Sequence, residues 1–272
     1  MTLHQEIRPD QTVALLKALH ILTRDGNLNQ DSRRKLKQVY HLVNFIAPLF
    51  EDVKQTQENP VLVDHGAGKS YLGFILYDLL LKAENSGQVI GIETRAELVE
   101  KSKQLAEECA FSRMDFQHLS VEESIYSASI PEKVDIVTAL HACNTATDDA
   151  IQFGLKKQAK FMVLVPCCQA EVAEVMRKNK ADSLSKTPLS ELWRHPIHTR
   201  ELGSHLTNVL RCLQLEAHGY NVTVTELIGW EHSMKNELII AKYTGQSRNN
   251  ARERLFAILE TFHLQALKHR FS

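Results

Sequence analysis

Residues 60–70 read Pro-Val-Leu-Val-Asp-His-Gly-Ala-Gly-Lys-Ser, and this stretch decides the fold class. Its three apolar residues, 61–63, predict a short buried strand that ends at an acid. Two glycines then permit a sharp turn, and residues 69–83 continue as an apolar helix. A strand, a glycine turn and a helix in this order indicate the first unit of an α/β fold with a parallel sheet.

The same alternation continues after this first unit. Apolar runs at 87–93, 114–118, 134–140 and 161–165 predict four further strands, and a charged helix is predicted over 95–109. Strands that alternate with helices in this way form βαβ units, so these five strands are expected to run parallel.

The last two predicted strands follow a different pattern. Residues 221–228 and 237–243 are separated by only a short connection, which demands an antiparallel pair because a parallel return needs a long crossover. A mostly parallel seven-stranded sheet with an antiparallel last strand is the Rossmann-like layout of class I methyltransferases, whereas a dehydrogenase sheet normally stays parallel. We therefore predict an α/β fold of this class with extra N-terminal helices.

The division of the chain follows from the same pattern. Two helices precede the first strand, and Asp10 and Asp31 are their predicted N-caps. A long, polar helical stretch separates the fifth and sixth strands. The predicted parts are an N-terminal helical extension at 1–56, a methyltransferase domain at 57–246 with an insertion at about 170–219, and a C-terminal helix at 247–272.

Composition narrows the class of protein only slightly. The 272 residues are 43% hydrophobic and carry a formal net charge of -1, so bulk electrostatics favour no class of partner. The N-terminus lacks the apolar core of a secretory signal, and no apolar run approaches the roughly 18 residues that cross a bilayer. The five cysteines show no disulfide framework, which is typical of a reducing compartment. We expect a cytoplasmic protein with no membrane span.

The glycine turn is a candidate cofactor site. Gly66 and Gly68 let the backbone approach a ligand where a Cβ would collide. Asp64 can accept hydrogen bonds from an amino-acid ammonium, and Glu93, at the end of the second strand, can hold both ribose hydroxyls. Two acids beside a glycine turn therefore predict S-adenosylmethionine (AdoMet) as cofactor. The predicted cofactor-binding residues are Asp64, Gly66, Gly68, Lys69, Glu93, Ser120, Val121 and His141, with Ser120 and Val121 assigned by position alone.

Two other nucleotide sites fit this turn less well. Residues 63–70 match the phosphate-loop pattern except at its first position, where Val63 replaces the glycine that begins the wrap. An acid inside that loop would also repel phosphates. The dinucleotide fingerprint fails because its third glycine would fall at Tyr71. A glycine turn without any ligand remains a further alternative.

Three segments carry a resemblance to a known family. Residues 64–72 (DHGAGKSYL), 140–151 (LHACNTATDDAI) and 165–171 (VPCCQAE) resemble the methyltransferases that include the tRNA acceptor-stem 2'-O-methyltransferases. They are equally similar to the methyltransferase domain of the glutathione S-transferase C-terminal-domain-containing proteins and its bacterial relatives. The resemblance implies AdoMet-dependent methyl transfer. The chain departs from the tRNA enzymes at Gln169 and Ala170, where those have a histidine after the Cys-Cys pair, and it shows no N-terminal zinc-finger-like cysteine cluster.

Candidate catalytic residues follow the fourth and fifth strands. Ligands bind outside the carboxyl ends of parallel strands, so residues 141–144 and 166–168 are expected at the same edge as the glycine turn. His141 is the candidate general base, because an imidazole pKa near 6.5 suits proton removal at neutral pH. The alternative is that His141 only bonds a neighbouring loop. Asp148 and Asp149 fall in a first helical turn, where a capping role is expected.

The cysteines at this edge are open to three interpretations. Cys143, Cys167 and Cys168 occupy positions analogous to those of the two cysteines in cytosine-5 RNA methyltransferases, one of which attacks the base. Small buried thiols also serve as inert packing. A zinc site is disfavoured because adjacent cysteines lack the usual ligand spacing, so no metal is expected. The candidate catalytic residues are His141, Cys143, Cys167 and Cys168.

The acceptor of the methyl group is not encoded in any single motif. Basic residues in 177–200 and 248–270 could track RNA phosphates, or could be ordinary solvated helix faces. An RNA substrate is therefore one expectation. A small-molecule or protein methyltransferase and a non-catalytic AdoMet-binding module are the alternatives.

Overall fold

The computed structural model of the chain describes residues 6–84, 86–140, 144–167, 169–179, 188–227, 237–248 and 250–272. Its seven strands, in chain order, are β1 (Val61–His65), β2 (Gln88–Glu93), β3 (Met114–His118), β4 (Ile136–Leu140), β5 (Phe161–Val165), β6 (Tyr220–Glu226) and β7 (Glu237–Tyr243). The strand order across the sheet is β3-β2-β1-β4-β5-β7-β6.

Helices connect and flank these strands. In chain order they are α1 (Val13–Ala18), α2 (Gln30–Lys54), α3 (Tyr71–Leu76), α4 (Ala96–Glu108), α5 (Val121–Tyr126), α6 (Ala146–Lys156), α7 (Glu171–Lys178), α8 (Pro196–Ala217), α9 (Ala251–Thr261) and α10 (Lys268–Phe271). The helix after β1 continues as a π-helical turn over Tyr77–Leu81, and a 3₁₀ segment over Pro188–Trp193 precedes α8. Among the described residues, no helix is both long and apolar enough to span a membrane.

The pairing of the strands confirms the predicted fold class. β1 pairs in parallel with β2 and β4, and the parallel register extends to β3 on one side and β5 on the other. β7 lies between β5 and β6 and is antiparallel to both. The chain moves outward from β1 to β3 and then returns to place β4 on the other side of β1. The switch point between β1 and β4 is where an open α/β sheet forms its ligand crevice.

Apolar side chains cover both faces of the sheet. The N-terminal helices share one core with α3 and the strands, through Leu15, Val43 and Phe74. A second core on the opposite face includes Val137 and Phe153. A third cluster joins α7, α8 and α9 through a separate set of side chains: Val172, Met176, Leu206, Leu210, Leu255 and Leu259.

The caps of the first two helices differ from the prediction. α1 begins after Thr12, whose hydroxyl and backbone N–H donate to the Asp78 carboxylate at 2.6 and 2.8 Å, so Asp10 is not its cap. α2 is capped by Asn29, whose side-chain oxygen accepts from Ser32 N–H at 2.8 Å. Asp31 lies inside the first turn of α2. The prediction for α2 was wrong by two residues because Asn and Asp both make good N-caps, and the sequence offers both.

Candidate active site

The turn after β1 needs its glycines. Gly66 and Gly68 have φ values of 67° and 59°, in the left-handed region that disfavours residues with a Cβ. Ser70, at φ 49°, also lies there and leads into α3. The turn is stabilised by Ala67, whose N–H donates to Ile92 O at 3.0 Å and whose carbonyl accepts from Ser70 N–H at 2.6 Å. These bonds hold the backbone of the turn against the end of β2.

Asp64 lies at the switch point and is almost fully buried. Its carboxylate accepts from Thr138 Oγ1 of β4 at 2.8 Å and from Ser70 Oγ at 3.2 Å. Burial raises the pKa of Asp64 to about 6, although these hydrogen bonds oppose the shift. A cationic ligand group would favour the ionised carboxylate and would therefore bind best above that pH.

Glu93, at the end of β2, is held in a different way. Its carboxylate accepts from Gly68 N–H at 2.8 Å, and Arg95 donates to it from the backbone and from two guanidinium nitrogens at 3.0 to 3.1 Å. Burial alone would raise the pKa of Glu93, but the bonds from Arg95 and Gly68 outweigh it and lower the pKa. Glu93 is therefore an ionised acceptor that is fixed directly to the glycine turn.

A cavity of about 180 Å³ opens beside this turn. Asp64 is its buried acid, and the walls are otherwise apolar or backbone. The lining residues are Asp64, Gly66, Ala67, Tyr71, Leu72 and Leu140. A buried acid at the switch point, a glycine cradle and a second acid at the end of β2 fit a ligand with an ammonium at one end and a ribose at the other. AdoMet has both groups.

His65 follows Asp64 but plays no part in this arrangement. Its ring packs against Phe153 with centroids 5.4 Å apart, and both ring nitrogens are buried without a hydrogen-bond partner among the described residues. Burial lowers the pKa of His65 to about 4, so the ring is neutral. A buried ring with so low a pKa is a poor proton acceptor.

The predicted adenine-side residues lie at the same edge of the sheet. Ser120 is the N-cap of α5: its hydroxyl accepts from Glu123 N–H at 3.3 Å, and its own N–H donates to the Glu123 carboxylate at 2.7 Å. These groups form a capping box. Val121 begins the helix and is half-buried. Both residues follow β3, as the sequence predicts, and their contact with adenine stays a prediction.

Three of the four candidate catalytic residues fall outside the described residues. These are His141, Cys143 and Cys168, and the connection over 229–236 between β6 and β7 falls outside as well. Cys167 is described and half-buried, two residues after the end of β5. The described residues next to these segments are Asn144, which has a left-handed φ of 54°, and the buried Gln169.

A buried polar network that sequence reasoning missed lies next to these segments. Arg211 of α8, which is fully buried, donates to both oxygens of Asp148 at 2.7 Å and to Asn144 O at 3.0 Å. Asp148 does lie in the first turn of α6, but its carboxylate binds this guanidinium, so the expected simple capping role was wrong. The one signal in the sequence is a lone arginine within the apolar run Leu210-Arg-Cys-Leu213.

A family model described as a methyltransferase domain matches residues 34–175, which include the switch point, both acids and the connections after β4 and β5. The chain belongs to this methyltransferase-domain family. The predictions of the fold class, of methyltransferase activity and of AdoMet as cofactor are thereby confirmed. The match begins within α2, so this methyltransferase model also takes in part of the N-terminal helices.

Similar curated proteins agree with the resemblance seen in the sequence. The methyltransferase is 27% identical over 235 residues to the glutathione S-transferase C-terminal domain-containing protein of Bos taurus, with 80% of this chain and 34% of that protein covered. It is 23% identical over 242 residues to the Drosophila melanogaster homolog, with coverage of 79% and 37%. The chain thus spans about a third of the length of these relatives.

One solved structure is similar to the chain at low sequence identity. M. capricolum TrmK, in complex with the natural cofactor product S-adenosyl-homocysteine, matches with a TM-score of 0.42 and 10% identity. The match covers 82% of this chain and 84% of that one.

Proposed function

We propose that this methyltransferase transfers the methyl group of AdoMet to RNA. The observation that carries the RNA assignment is a groove of about 400 Å³ between the end of α1, the glycine turn and α4. Lys69 of the turn, Lys101 of α4 and His20 line this groove. In the described part of the chain, none of these three side chains has a hydrogen bond or an ion pair. Unpaired lysines beside the cofactor turn suit a phosphate backbone.

The acid in the groove does not neutralise these cations directly. Glu108 also lines it, and its carboxylate accepts a hydrogen bond from Gln104 at 2.9 Å. Leu19, Leu98 and Leu105 supply apolar walls. A groove that combines cations with apolar surface can hold a phosphate next to a sugar or a base.

The basic segments that the sequence suggested are less suitable for RNA. Most of their described cations already pair with carboxylates: Lys178 with Glu174, Arg194 with Glu191, Arg200 with Glu201, Arg248 and Arg254 with Glu216, and Arg270 with Glu171. Phosphate binding would have to break those pairs, whereas the groove beside the turn has its lysines available. The groove therefore supports the RNA proposal better than the predicted segments do.

The proposed roles in the chemistry follow from the two acids and from the edge of the sheet. Asp64 accepts from the cofactor ammonium, Glu93 accepts from the ribose hydroxyls, and the turn of Gly66, Gly68 and Lys69 packs against the ligand. AdoMet, when bound, would supply the methyl group from its sulfonium, and the rest of the cofactor would be left as a neutral thioether. An RNA oxygen or nitrogen takes the methyl group and loses a proton, for which His141 is the proposed acceptor. Alignment alone can lower the barrier by ~7–11 kcal/mol.

The other candidate residues keep their proposed places. Ser120 and Val121 lie beside the adenine in this proposal, and Cys143, Cys167 and Cys168 form part of the acceptor side of the site. A cytoplasmic location also stays a prediction.

The test is methyl transfer from labelled AdoMet to RNA from a strain that lacks the gene. We expect label in RNA. The variant Lys101→Ala should bind AdoMet normally but bind RNA more weakly, with a salt slope lower by about 0.7 to 0.9, because one phosphate contact is lost. Lys103→Ala is the matched control, since Lys103 is on the same helix and pairs with Glu100 at 3.6 Å.

Two outcomes would contradict this proposal. Label in protein or in small metabolites, with none in RNA, would favour the alternative of a small-molecule or protein methyltransferase. An unchanged salt slope in Lys101→Ala would show that RNA does not use the groove.

A further inference from the structure

Two polar residues of α8 lie buried, one helical turn apart. They are next to the connections that follow β4 and β5 and to the start of β7. Arg211 is fully buried and Asn208 is 4% exposed. Their neighbours on α8, including Leu206, Leu210 and Leu213, pack in an apolar cluster with α7 and α9. Buried polar groups of this kind are costly unless every one is hydrogen-bonded, so the partners of Arg211 and Asn208 determine what they do.

Arg211 fixes the connection between β4 and α6. Its Nε and Nη2 donate to the two oxygens of Asp148, each at 2.7 Å, which is the bidentate geometry of an Arg–carboxylate pair. Nη2 also donates to Asn144 O at 3.0 Å. Asn144 has a left-handed φ of 54°, and its own side chain accepts from Ala170 N–H at 3.4 Å. The guanidinium thus holds the turn that leads from β4 into α6.

Asn208 extends the same network to two other elements. Its side-chain oxygen accepts from Gln169 Nε2 at 2.9 Å and from Arg211 Nη1 at 3.1 Å. Its amide nitrogen donates to Glu237 at the start of β7, at 2.7 Å. Gln169 belongs to the connection between β5 and α7. The residues after β4, after β5 and before β7 are therefore joined through one turn of α8.

We propose that Arg211 and Asn208 are positioning residues that set the acceptor side of the methyl-transfer site. The proposal rests on the proposed function in one respect, that the acceptor binds at the ends of β4 and β5. The cofactor side is separate, because the hydrogen bonds of Asp64 and Glu93 given above involve no residue of α8. A displacement of about 1 Å in such a site can cost ~100-fold in rate, so a fixed network here controls transfer.

Stability alone does not account for this network. Replacing a buried ion pair with apolar residues of similar volume is often neutral or stabilising, whereas removing one partner is strongly destabilising. An apolar α8 could therefore pack against α6 equally well. What apolar side chains could not do is bind Asn144 O, Gln169 and Glu237 at fixed distances.

The experiment compares variants that separate stability from position. Arg211→Met/Asp148→Leu removes both charges and should remain folded. Asn208→Ala releases the contacts to Gln169 and Glu237 and one bond from Arg211, but it keeps the Arg211–Asp148 pair. Glu216→Gln is the control, because Glu216 is on the same helix and pairs with Arg248 and Arg254 instead. The measurements are AdoMet affinity by calorimetry, hydrogen exchange of peptides covering 144–150 and 166–171, and the rate of methyl transfer.

We expect the double variant to keep its AdoMet affinity within about threefold, while exchange at 144–150 becomes at least about tenfold faster, because local opening of the connection costs less. Asn208→Ala should speed exchange mainly at 166–171. The kcat for methyl transfer should fall by ~100-fold, because the acceptor is no longer aligned with the cofactor. The dissociation constant for AdoMet should change little, because the cofactor turn is intact. Glu216→Gln should change none of these values.

Two results would overturn the proposal. Unchanged exchange at both peptides would show that the network does not position these connections. Normal transfer by a folded double variant would show that the pair is structural only. If no RNA is methylated even by the wild type, the RNA proposal fails, but exchange and AdoMet binding still decide whether α8 holds the connections.

Discussion

The two halves of the ligand-binding edge are held by different kinds of contact. At β1 and β2 the acids are held within the glycine turn and the parallel strands. Asp64 bonds Ser70, 6 residues away, and Thr138 of β4, 74 residues away. Glu93 bonds Arg95, 2 residues away. At β4 and β5 the connections depend on α8, with Arg211 bonding Asp148 across 63 residues and Asn144 across 67. The bonds described for Asp64 and Glu93 all come from the glycine turn, the end of β2 and β4, so the cofactor half depends on the parallel part of the sheet. The acceptor half is completed only when the insertion has docked.

Because of this difference, substitutions in the two halves should affect different properties, ligand affinity in one and stability in the other. A change in the glycine turn should alter ligand affinity and leave the fold intact, because the turn lies at the surface of a well-packed sheet. A change in Arg211 should weaken the fold itself, because it leaves the carboxylate of Asp148 buried without its cation.

The largest expected effect is that of Arg211→Met. Loss of one partner of a buried ion pair should lower the free energy of unfolding by ~3–5 kcal/mol. For a domain of this size, the melting temperature should fall by roughly 6–20 °C. Thermal and urea unfolding of the cofactor-free protein measure both. Adding Asp148→Leu should restore most of the loss, and a single variant as stable as the wild type would show that the pair contributes little.

The same contrast explains how much of the molecule the sequence predicts. Asp64, the glycines and Glu93 can be read from the sequence because a strand end, a turn and the next strand end have fixed spacing in a βαβ unit. The reversed β7 follows from the shortness of its connection. Arg211 gives no such signal, because its partners lie 63 and 67 residues away and nothing in local spacing points to them. The helix cap at Asn29 was missed for a more local reason, the choice between two good caps.

Glu93→Ala should produce the next largest effect, confined to the cofactor half. The variant would remove the two charge-assisted hydrogen bonds proposed between Glu93 and the ribose, together with the bond from Gly68 N–H, so AdoMet affinity should fall by ~10–100-fold. Calorimetric titration measures the change. Glu97→Ala is the control, because Glu97 lies in the first turn of α4 and is exposed. Equal affinities of wild type and Glu93→Ala would exclude Glu93 from the cofactor site.

The third prediction concerns pH and Asp64. Burial raises the folded-state pKa of Asp64 to about 6, above its ordinary value of 3.8. Between these two values the folded protein binds more protons than the unfolded chain, so this group's contribution to stability is present at low pH and is lost as the pH rises through about 6. The ionised carboxylate is the form that binds an ammonium. AdoMet affinity should therefore rise with pH over the range in which this group's contribution to stability is lost.

AdoMet binding should weaken by up to about tenfold between pH 7 and pH 5, because each pH unit below the pKa cuts the ionised fraction about tenfold. Asp64→Asn should bind more weakly at pH 7 and show a flat profile over the same range. Calorimetry in matched buffers measures both curves. A wild-type profile as flat as that of the variant would mean that Asp64 does not bind the cofactor ammonium.

The smallest effect should come from Arg254→Ala, which tests the comparison on α8 itself. Arg254 donates to Glu216 at 2.7 Å, the same distance as in the Arg211–Asp148 pair, but the Arg254 side chain is 53% exposed and the Arg211 side chain is 0% exposed. Water already solvates the exposed guanidinium, so its removal should cost only ~0.2–1 kcal/mol. Urea unfolding at low and high salt measures the loss in the free energy of unfolding. High salt should reduce the difference between Arg254→Ala and the wild type further. A loss as large as that of Arg211→Met would mean that burial does not distinguish the two pairs, and that the dependence of the acceptor half on α8 is no more than the general stability of that helix.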